Sequence, residues 1–569
     1  MILEYQEVSR LLEQFAAELP AFLGSHPKTA NLVPQVAHLH EIAEVRFTLA
    51  VVGQMRVGKS SLLNALMKKD RAIVGVTETT ATINFFKYGQ GDQTDRFRVT
   101  WKDRPEEELD LTEIRRWTGD SRDAAQTQFL EFFVDSEYLL KGNIVDTPGT
   151  RSAIESHTET VNEFLAAKQD GQTRKLGGEA DAILYVVPSV ARQSDEDMLR
   201  DFQSTTRLPG SSPYNSLAVL HKWETLEAPD AFAEAGHKAE RIRKVMDGLI
   251  SVVIPVSAPL GKAAEQYADG FWQTVLNLAV HTPAPVLQEM LMGEEEFLDE
   301  TPGCALSTSD RRQLRSQYPL PWPSLKVITE TGQREKPADP AAFRARVLDM
   351  SGLVRLRQEL QTRFFDRSHM IKSFSVLSKA WDACRTADVR LRNHKVGLTD
   401  KLQRAPQLKA VLAERIRRGQ TDLQPVQDYL QATLGLLEKE VEDTSATLRC
   451  LDAKLLEVEE VQKDMDGDLK CLERLTQGGN GLPPELADLL ASLFGRHGAS
   501  MTERLSFLAR NGRTVARVRD LDEAIERLKQ FSWHAGRQWN DLAEHGVNRL
   551  EAMANWMETH SHDEIQLTH

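Results

Sequence analysis

The run Gly53-Gln54-Met55-Arg56-Val57-Gly58-Lys59-Ser60 follows the pattern GxxxxGK[ST]. In that pattern the glycines let the backbone turn tightly enough to aim N–H groups at phosphate oxygens. The lysine reaches the β- and γ-phosphates, and the serine hydroxyl ligates Mg²⁺. The flanks suit the chemistry. Phe47–Val52 is a short apolar strand-like run, and Ser61-Leu-Leu-Asn-Ala-Leu-Met67 opens a helix whose positive end faces the phosphates. Residues Gly53, Gln54, Met55, Arg56, Val57, Gly58, Lys59, Ser60 and Ser61 are therefore candidates to hold a nucleoside triphosphate with Mg²⁺.

Further along the chain stand residues that could complete such a site. Asp146-Thr-Pro-Gly149 follows the strand-like Asn143–Asp146. A carboxylate at the end of a neighbouring strand holds Mg²⁺ through water, and the Gly149 N–H meets the γ-phosphate. Between these two motifs lies Val76-Thr-Glu-Thr-Thr-Ala-Thr82. A threonine there should order the metal and the attacking water. Thr80 is the first choice by its distance from the next strand, with Thr77, Thr79 and Thr82 as competitors. His221-Lys222-Trp223-Glu224 ends another apolar run. There Lys222 can lie along a purine base, and Glu224 can accept from a ring N–H and an exocyclic amine. Ser257 and Ala258, after Val252–Val256, stand where backbone contacts to the base edge are expected.

These residues need a scaffold that brings strand ends together. Strand-like runs at Phe47–Val52, Ile83–Tyr88, Phe97–Trp101, Asn143–Asp146, Ala182–Val187, Ser216–Leu220 and Val252–Val256 alternate with helical stretches. The first and the last four are apolar throughout, as parallel strands buried on both faces are. Residues 45–340 therefore read as an α/β domain with a doubly wound, mostly parallel sheet. Residues 293–340, rich in Pro and charge, read as an irregular insertion with one strand at most. Val8, Leu11, Leu12, Phe15, Leu19 and Phe22 form one helical stripe within residues 1–44. From 341 to 569 the pattern is helical. A coiled-coil-type seam runs through Leu430, Leu434, Leu437, Val441, Leu448 and onward to Leu472, and a Gly/Pro break at 478–484 follows it. Two long antiparallel helices meeting at that break would make a stalk, which the N-terminal helices join.

The 569 residues exceed one core, and 41% hydrophobic with 27% charged residues describes a folded chain. A net charge of −14 argues against wholesale nucleic-acid binding, which rests on Lys and Arg neutralising phosphates. The four cysteines, Cys304, Cys384, Cys450 and Cys471, form no metal-ligating pair and suit a reducing cytoplasm. The N-terminus is acidic where a signal peptide is basic and apolar. No run reaches the ~18 apolar residues a membrane span needs. Any membrane association is then peripheral, at the inner face of the cell membrane.

The order of motifs resembles the translation-factor-like GTPases, and the helical flanks resemble the dynamin superfamily, in particular the bacterial dynamin-like proteins. The first likeness covers roughly residues 45–290. The resemblance implies an α/β P-loop GTPase domain with an N-terminal helix and a long C-terminal α-helical bundle forming neck and trunk. It also implies hydrolysis of GTP to GDP with Mg²⁺, pairing of the heads or higher self-assembly, a related dynamin-like partner, and a trunk tip that touches lipid to remodel membranes.

Three departures qualify it. Arg56 stands in a GxxRxGKS loop, as in guanylate-binding proteins and atlastins, where the arginine stabilises transition-state charge in cis. Here it either does so with Lys59 and Thr80 or faces solvent. The sequence HKWE replaces [NT]KxD, which loosens the expected guanine preference. Thr150 and Arg151 follow Gly149 where a glutamine would position water, so slow basal turnover is expected. The basic stretch 372–418 and the apolar Leu482–Phe494, within a candidate tip at 478–500, are the places to look for contact with anionic lipid. The alternative is a nucleotide-switched protein-interaction module with little hydrolysis and no membrane role.

Overall fold

The computed structural model describes residues 5–37, 39, 46–53, 57–68, 82–117, 122–147, 180–189, 214–246, 249–476, 484–496, 526, 528–530, 544–552 and 554–555. The chain divides into two compact units, Arg46–Ile371 and Met1–Val45 with Lys372–His569.

The first unit is built on a nine-stranded sheet in the order β4-β3-β5-β2-β6-β1-β7-β8-β9. The strands are β1 (Thr48–Gly53), β2 (Ile83–Tyr88), β3 (Arg96–Trp101), β4 (Glu107–Asp110), β5 (Thr127–Val134), β6 (Asn143–Asp146), β7 (Ala182–Pro188), β8 (Ser216–His221) and β9 (Val253–Val256). From β6 to β9 every pairing is parallel. These strands are the ones expected to be apolar throughout, and they are buried almost end to end. Packing on both faces requires that pattern. Beyond β6 the direction changes. β2 runs antiparallel to β6 and parallel to β5, and β3 runs antiparallel to β5 and β4.

Two strands are additions to the sequence-based reading. β4 is Glu-Glu-Leu-Asp, a largely exposed edge strand whose acids carry little strand propensity. β5 carries fully buried Glu131 in mid-run, which breaks its apolar pattern. Lys87 and Arg98 from the flanking strands neutralise that carboxylate.

The helices of this unit that bear on the site are α2 (Lys59–Met67), α3 (Ala231–Val245), α4 (Ala258–Gln266), α5 (Asp269–His281), α6 (Thr308–Gln317), α7 (Trp322–Glu335), α8 (Pro340–Met350) and α9 (Leu353–Arg363). The expectation of an irregular insertion at 293–340 is corrected, because α6, α7 and a short helix at Glu294–Leu298 occupy most of it. Its prolines open helices where they were expected to break structure. Pro323 sits in the first turn of α7 and Pro340 in that of α8, where a missing N–H is harmless. Ser307 and Asp310 form a reciprocal cap on α6.

The expected boundary at 340/341 is also corrected. Arg344 of α8 donates to the Ala264 carbonyl of α4 at 2.5 Å, and Gly332 of α7 lies close against Ala279 and Phe343. α8 and α9 thus belong to the sheet unit, which ends at Ile371.

The second unit contains α1 (Tyr5–Gly24), α10 (Ser368–Arg417, from its fifth residue), α11 (Gln424–Thr476) and α12 (Pro484–Ala491). Val8, Phe15, Leu19 and Leu23 of α1 are buried, and Glu18 pairs with Lys454 of α11 at 2.8 Å. The reversal between α10 and α11 comes at Gly419, whose φ of +97° favours glycine; the 478–483 part of the expected break lies outside the described residues. Buried Leu391, Leu398, Ala405 and Leu412 recur every seven residues along α10 and face the seam of α11.

The apolar segment expected to be an exposed tip lies inside this unit. Leu490, Ala491 and Phe494 are buried, with Phe494 against the His545 ring and Leu490 near Gly546. A stripe that packs on other helices is core, so the tip expectation is corrected for the described residues 484–496, and the rest of 478–500 lies outside the described residues. Nearby, buried Asp468 accepts from Arg549 and, at 2.7 Å, bonds the His545 ring. Burial raises the Asp468 pKa, but the Arg549 charge and these hydrogen bonds outweigh burial and hold it below the usual carboxylate range.

Candidate nucleotide-binding site

The parallel register collects the candidate residues at one edge of the sheet. Val51 pairs with Asp146, Gly53 with Val186, and His221 with Val256. The carboxyl ends of β1, β6, β8 and β9 therefore lie side by side, the place where open α/β sheets bind ligands.

Gly53 ends β1 against β7 so closely that a Cβ there would lie 2.5 Å from the Val186 carbonyl oxygen. Gly58 caps α2 with φ +97°, and a Cβ there would lie 2.7 Å from the His221 ring. Both glycines are required by close approach, and Gly58 also by backbone conformation. Lys59 opens α2 and is buried, its ammonium donating to the Gly53 carbonyl at 3.1 Å. Burial pushes its pKa down while the Asp146 charge pulls the other way.

Ser60 donates its hydroxyl to Asp146 Oδ2 at 2.9 Å. Asp146 is fully buried, and its Oδ1 has no hydrogen-bond partner. Burial pushes its pKa up to about 6, opposed by Lys59 and by the Ser60 hydrogen bond. A buried carboxylate with a vacant oxygen beside a serine hydroxyl fits a hydrated Mg²⁺. Ser60 would ligate the ion and Asp146 would hold it through water. The bound ion supplies charge neutralisation at the phosphates.

The HKWE segment divides its work. His221 Nδ1 lies 2.9 Å from the Val57 carbonyl oxygen, so that nitrogen carries the proton and donates. The imidazole is fully buried, and burial lowers its pKa to about 4. His221 is thus a strut beneath the P-loop backbone. Lys222 takes a left-handed conformation, φ +61°, and its carbonyl accepts from Ser189 and Thr225, each at 2.7 Å. Its Cε lies 3.0 Å from where a Gly58 Cβ would stand, which places the lysine stem beside the P-loop.

Glu224 is buried, and burial raises its pKa to about 6, opposed by its own backbone N–H, by the Ser257 hydroxyl and by Lys222. Its Oε2 has no hydrogen-bond partner. Ser257 also caps α4, accepting from Leu260 N at 3.3 Å, with Ala258 as the first helical residue. The structure thus brings Glu224 and Ser257 together, with an acceptor to spare for a base N–H. Ser61 lies in the first turn of α2.

Gln54, Met55, Arg56, Thr80 and Gly149 lie outside the described residues. Of the competing threonines, Thr82 is described, and it donates its hydroxyl to Asn84 at 3.0 Å.

Sequence reasoning missed three supporting residues. Thr147 anchors the turn after β6 by donating to the Val51 carbonyl at 2.9 Å. Ser189 buttresses Lys222 as above. Arg357 of α9 donates to the Ala65 carbonyl of α2 at 2.7 Å while pairing with Glu265 of α4. Nothing in the local pattern around them signals these contacts, which span 96, 33 and 292 residues of chain.

Residues 49–208 match the model of the Dynamin family. That segment is similar to the dynamin family, and the rest of the chain lies outside the match. The family's N-terminal domain is a GTPase domain, and the P-loop, Asp146 and its strand all fall within the match. The chain is 24% identical over 348 residues to the isoniazid-induced protein IniC of Mycobacterium tuberculosis, covering 58% of this chain and 65% of IniC. It is 26% identical over 258 residues to Dynamin-like protein 2 of Campylobacter jejuni, covering 44% of this chain and 38% of that protein. The chain thus spans less than two thirds of the length of these relatives. A solved structure described as an oligomerised bacterial dynamin pair, with long-range sensing and tethering of membranes, aligns with 93% of this chain and 82% of its own at 12% identity and a TM-score of 0.31.

Proposed function

We propose that the Arg46–Ile371 unit binds GTP with Mg²⁺ and hydrolyses it, with turnover that rises on self-assembly. The observation that carries this reading is the Ser60–Asp146 pair at 2.9 Å, next to a lysine folded onto the Gly53 carbonyl. Serine, carboxylate and lysine then converge where two phosphates and one metal ion need them. Lys59 holds the β- and γ-phosphates, Ser60 and Asp146 place the metal, and Glu224 with Ser257 receives the base. Thr80 orders the attacking water, and Arg56 neutralises charge on the transferring phosphoryl once two heads pair.

Membrane contact is part of the same proposal as a peripheral one, because among the described residues no helix is long and apolar enough to cross a membrane. The bacterial relatives motivate it, and the helical unit is where it belongs.

The test measures GTP and ATP turnover across protein concentration, with and without liposomes. GTP turnover that climbs with concentration supports the reading, and lipid stimulation supports its membrane part. Tight GTP binding with flat, near-zero turnover favours the nucleotide-switched interaction module instead. For Arg56, single-turnover hydrolysis by Arg56→Ala decides. An unchanged rate at unchanged affinity removes the arginine from the mechanism.

A further inference from the structure

Asn84 is a polar residue in a stretch of strand that is otherwise apolar. It is the second residue of β2 and is fully buried, between Ile83 and Phe85. Strands favour β-branched and aromatic residues, and asparagine is depleted in them. Its own face of the sheet is apolar on two sides. Phe86 stands two places on and stacks on Phe132 of β5, and Leu130 of β5 is the register partner of Asn84. All three are buried. The Asn84 Oδ1 accepts from the Thr82 hydroxyl at 3.0 Å, which turns the amide nitrogen away from Thr82. That nitrogen, Nδ2, is buried and has no hydrogen-bond partner among the described residues. A buried N–H left unpaired carries its full desolvation cost, and an apolar residue of the same size would carry none.

The residue across the sheet supplies a reason. β2 and β6 are antiparallel, and Asn84 pairs with Asp146. Residues directly opposite in such a pair point to the same face, with Cβ atoms roughly 4.5–5.5 Å apart. Phe85 and Val145, one place along, pair with each other and belong to the core on the other face. On Asp146, Oδ2 accepts from Ser60, and Oδ1 has no partner among the described residues. An amide donor without an acceptor thus stands beside a carboxylate oxygen without a donor, both fully buried and on one face. A charge-assisted hydrogen bond between them, direct or through one water, satisfies both. A carboxylate oxygen accepts more than one bond, so Asp146 can still receive a metal-bound water.

We propose that Asn84 is a positioning residue for the metal: through Nδ2 it holds Oδ1 of Asp146 and fixes the plane of the carboxylate that places Mg²⁺. The role presupposes that Ser60 and Asp146 place the metal, as proposed above. Ser60 restrains one oxygen of Asp146, and a carboxylate held at one oxygen still turns about its Cβ–Cγ bond. The amide restrains the other oxygen. Outer partners of metal-holding groups set metal affinity, and their loss costs roughly 10–100-fold. The P-loop holds phosphates by its own backbone and Lys59, so affinity for metal-free nucleotide does not pass through Asn84.

The experiment titrates the full chain with a fluorescent, non-hydrolysable GTP analogue, in EDTA and then across free Mg²⁺. The readout is the gain in affinity that Mg²⁺ brings, so turnover does not enter it. Asn84→Leu, close in size, should leave the EDTA affinity and the thermal midpoint at or above the wild-type values. It should cut the magnesium gain at least ~10-fold. Asn84→Thr keeps a donor in nearly the same volume and should recover part of that gain. In an Asp146→Asn background, Asn84→Leu should change the gain no further, because the amide acts through that carboxylate. A Leu variant with the full magnesium gain overturns the proposal. So does a Thr variant no better than Leu, or a loss that persists in the Asp146→Asn background. Equal weakening in EDTA and in Mg²⁺ assigns Asn84 to packing and overturns it too. A wild type with no magnesium gain removes the metal reading of Ser60 and Asp146 itself, and the role of Asn84 with it.

Discussion

His221 Nδ1 sits 2.9 Å from the Val57 carbonyl oxygen, so a residue of the base-recognition segment holds the phosphate-binding loop in place. The same ring leaves no room for a side chain at Gly58, where a Cβ would lie 2.7 Å away. The loop is held from below by one hydrogen bond and kept narrow by one steric wall. His221→Ala should remove both and leave the Val57 carbonyl without its donor. Loss of that bond is worth about 1–2 kcal/mol, which corresponds to a Kd for GTP roughly 10-fold higher. Isothermal titration measures it. An unchanged Kd would show that the loop needs no strut.

The buried state of that ring predicts its pH behaviour. Its pKa of about 4 lies below the ordinary 6.5, so the folded state binds the proton less readily than the unfolded one. The sign follows from linkage. His221 favours folding fully above pH 6.5, and its contribution falls as the unfolded chain takes up protons between pH 6.5 and about 4. Comparing the unfolding free energy of wild type and His221→Asn at pH 7.5 and pH 5 isolates it. The wild type should lose more stability on acidification than the variant.

Gly58→Ala should abolish nucleotide binding for two separable reasons, φ +97° and the clash with His221. Adding His221→Ala removes the clash and leaves the backbone strain of ~1–2 kcal/mol. The double variant should therefore bind nucleotide better than Gly58→Ala alone. Fluorescent-nucleotide titration of both variants checks this, and equal loss in both would leave the backbone conformation as the sole cause.

How far the fold could be read in advance depends on how local the deciding contacts are. The parallel strands β1 and β6–β9 are legible because burial on both faces writes itself as an unbroken apolar run. β5 is not, since Glu131 is tolerated only because Lys87 and Arg98 stand on neighbouring strands. The prolines of 321–340 suggested irregularity because a proline opening a helix and one ending it look alike without the cap geometry. At the site, Gly53, Gly58, Lys59, Ser60 and Asp146 announce themselves by spacing. The place of His221 beneath the P-loop does not, since the same segment could equally have turned its imidazole to the base. The apolar stripe of 482–494 was legible as a stripe, but which surface covers it depends on residues 50 positions further on, around His545 and Gly546.

Arg357 gives a prediction about how the P-loop helix is anchored. It is buried, donates to the Ala65 carbonyl near the end of α2, and forms a forked pair with Glu265 of α4. Arg357→Met should break this three-way tie and destabilise the sheet unit by about 3 kcal/mol, because a largely buried Glu265 loses its partner. Arg357→Lys should recover little, since an ammonium cannot fork. Chemical denaturation of the full chain, followed by the tryptophans of the sheet unit, provides the measurement.

Glu224 carries the last prediction. Its folded pKa of about 6 lies above the ordinary 4.5 because burial disfavours the charge. Its contribution to stability is therefore fully present below pH 4.5 and is lost as pH rises through about 6, on the order of 2 kcal/mol in all. Binding a guanine works in the opposite direction, because accepting a base N–H on Oε2 favours the ionised form. GTP should thus bind more tightly, relative to its own triphosphate chain, as pH rises from 5 to 7, while the contribution of Glu224 to the stability of the nucleotide-free protein falls over the same window. The ratio of GTP to ribose-triphosphate affinity isolates the base from phosphate titration. Glu224→Gln should flatten both trends, since an amide neither titrates nor accepts as a charged group. A GTP preference equally steep in the Gln variant would move base recognition away from this carboxylate.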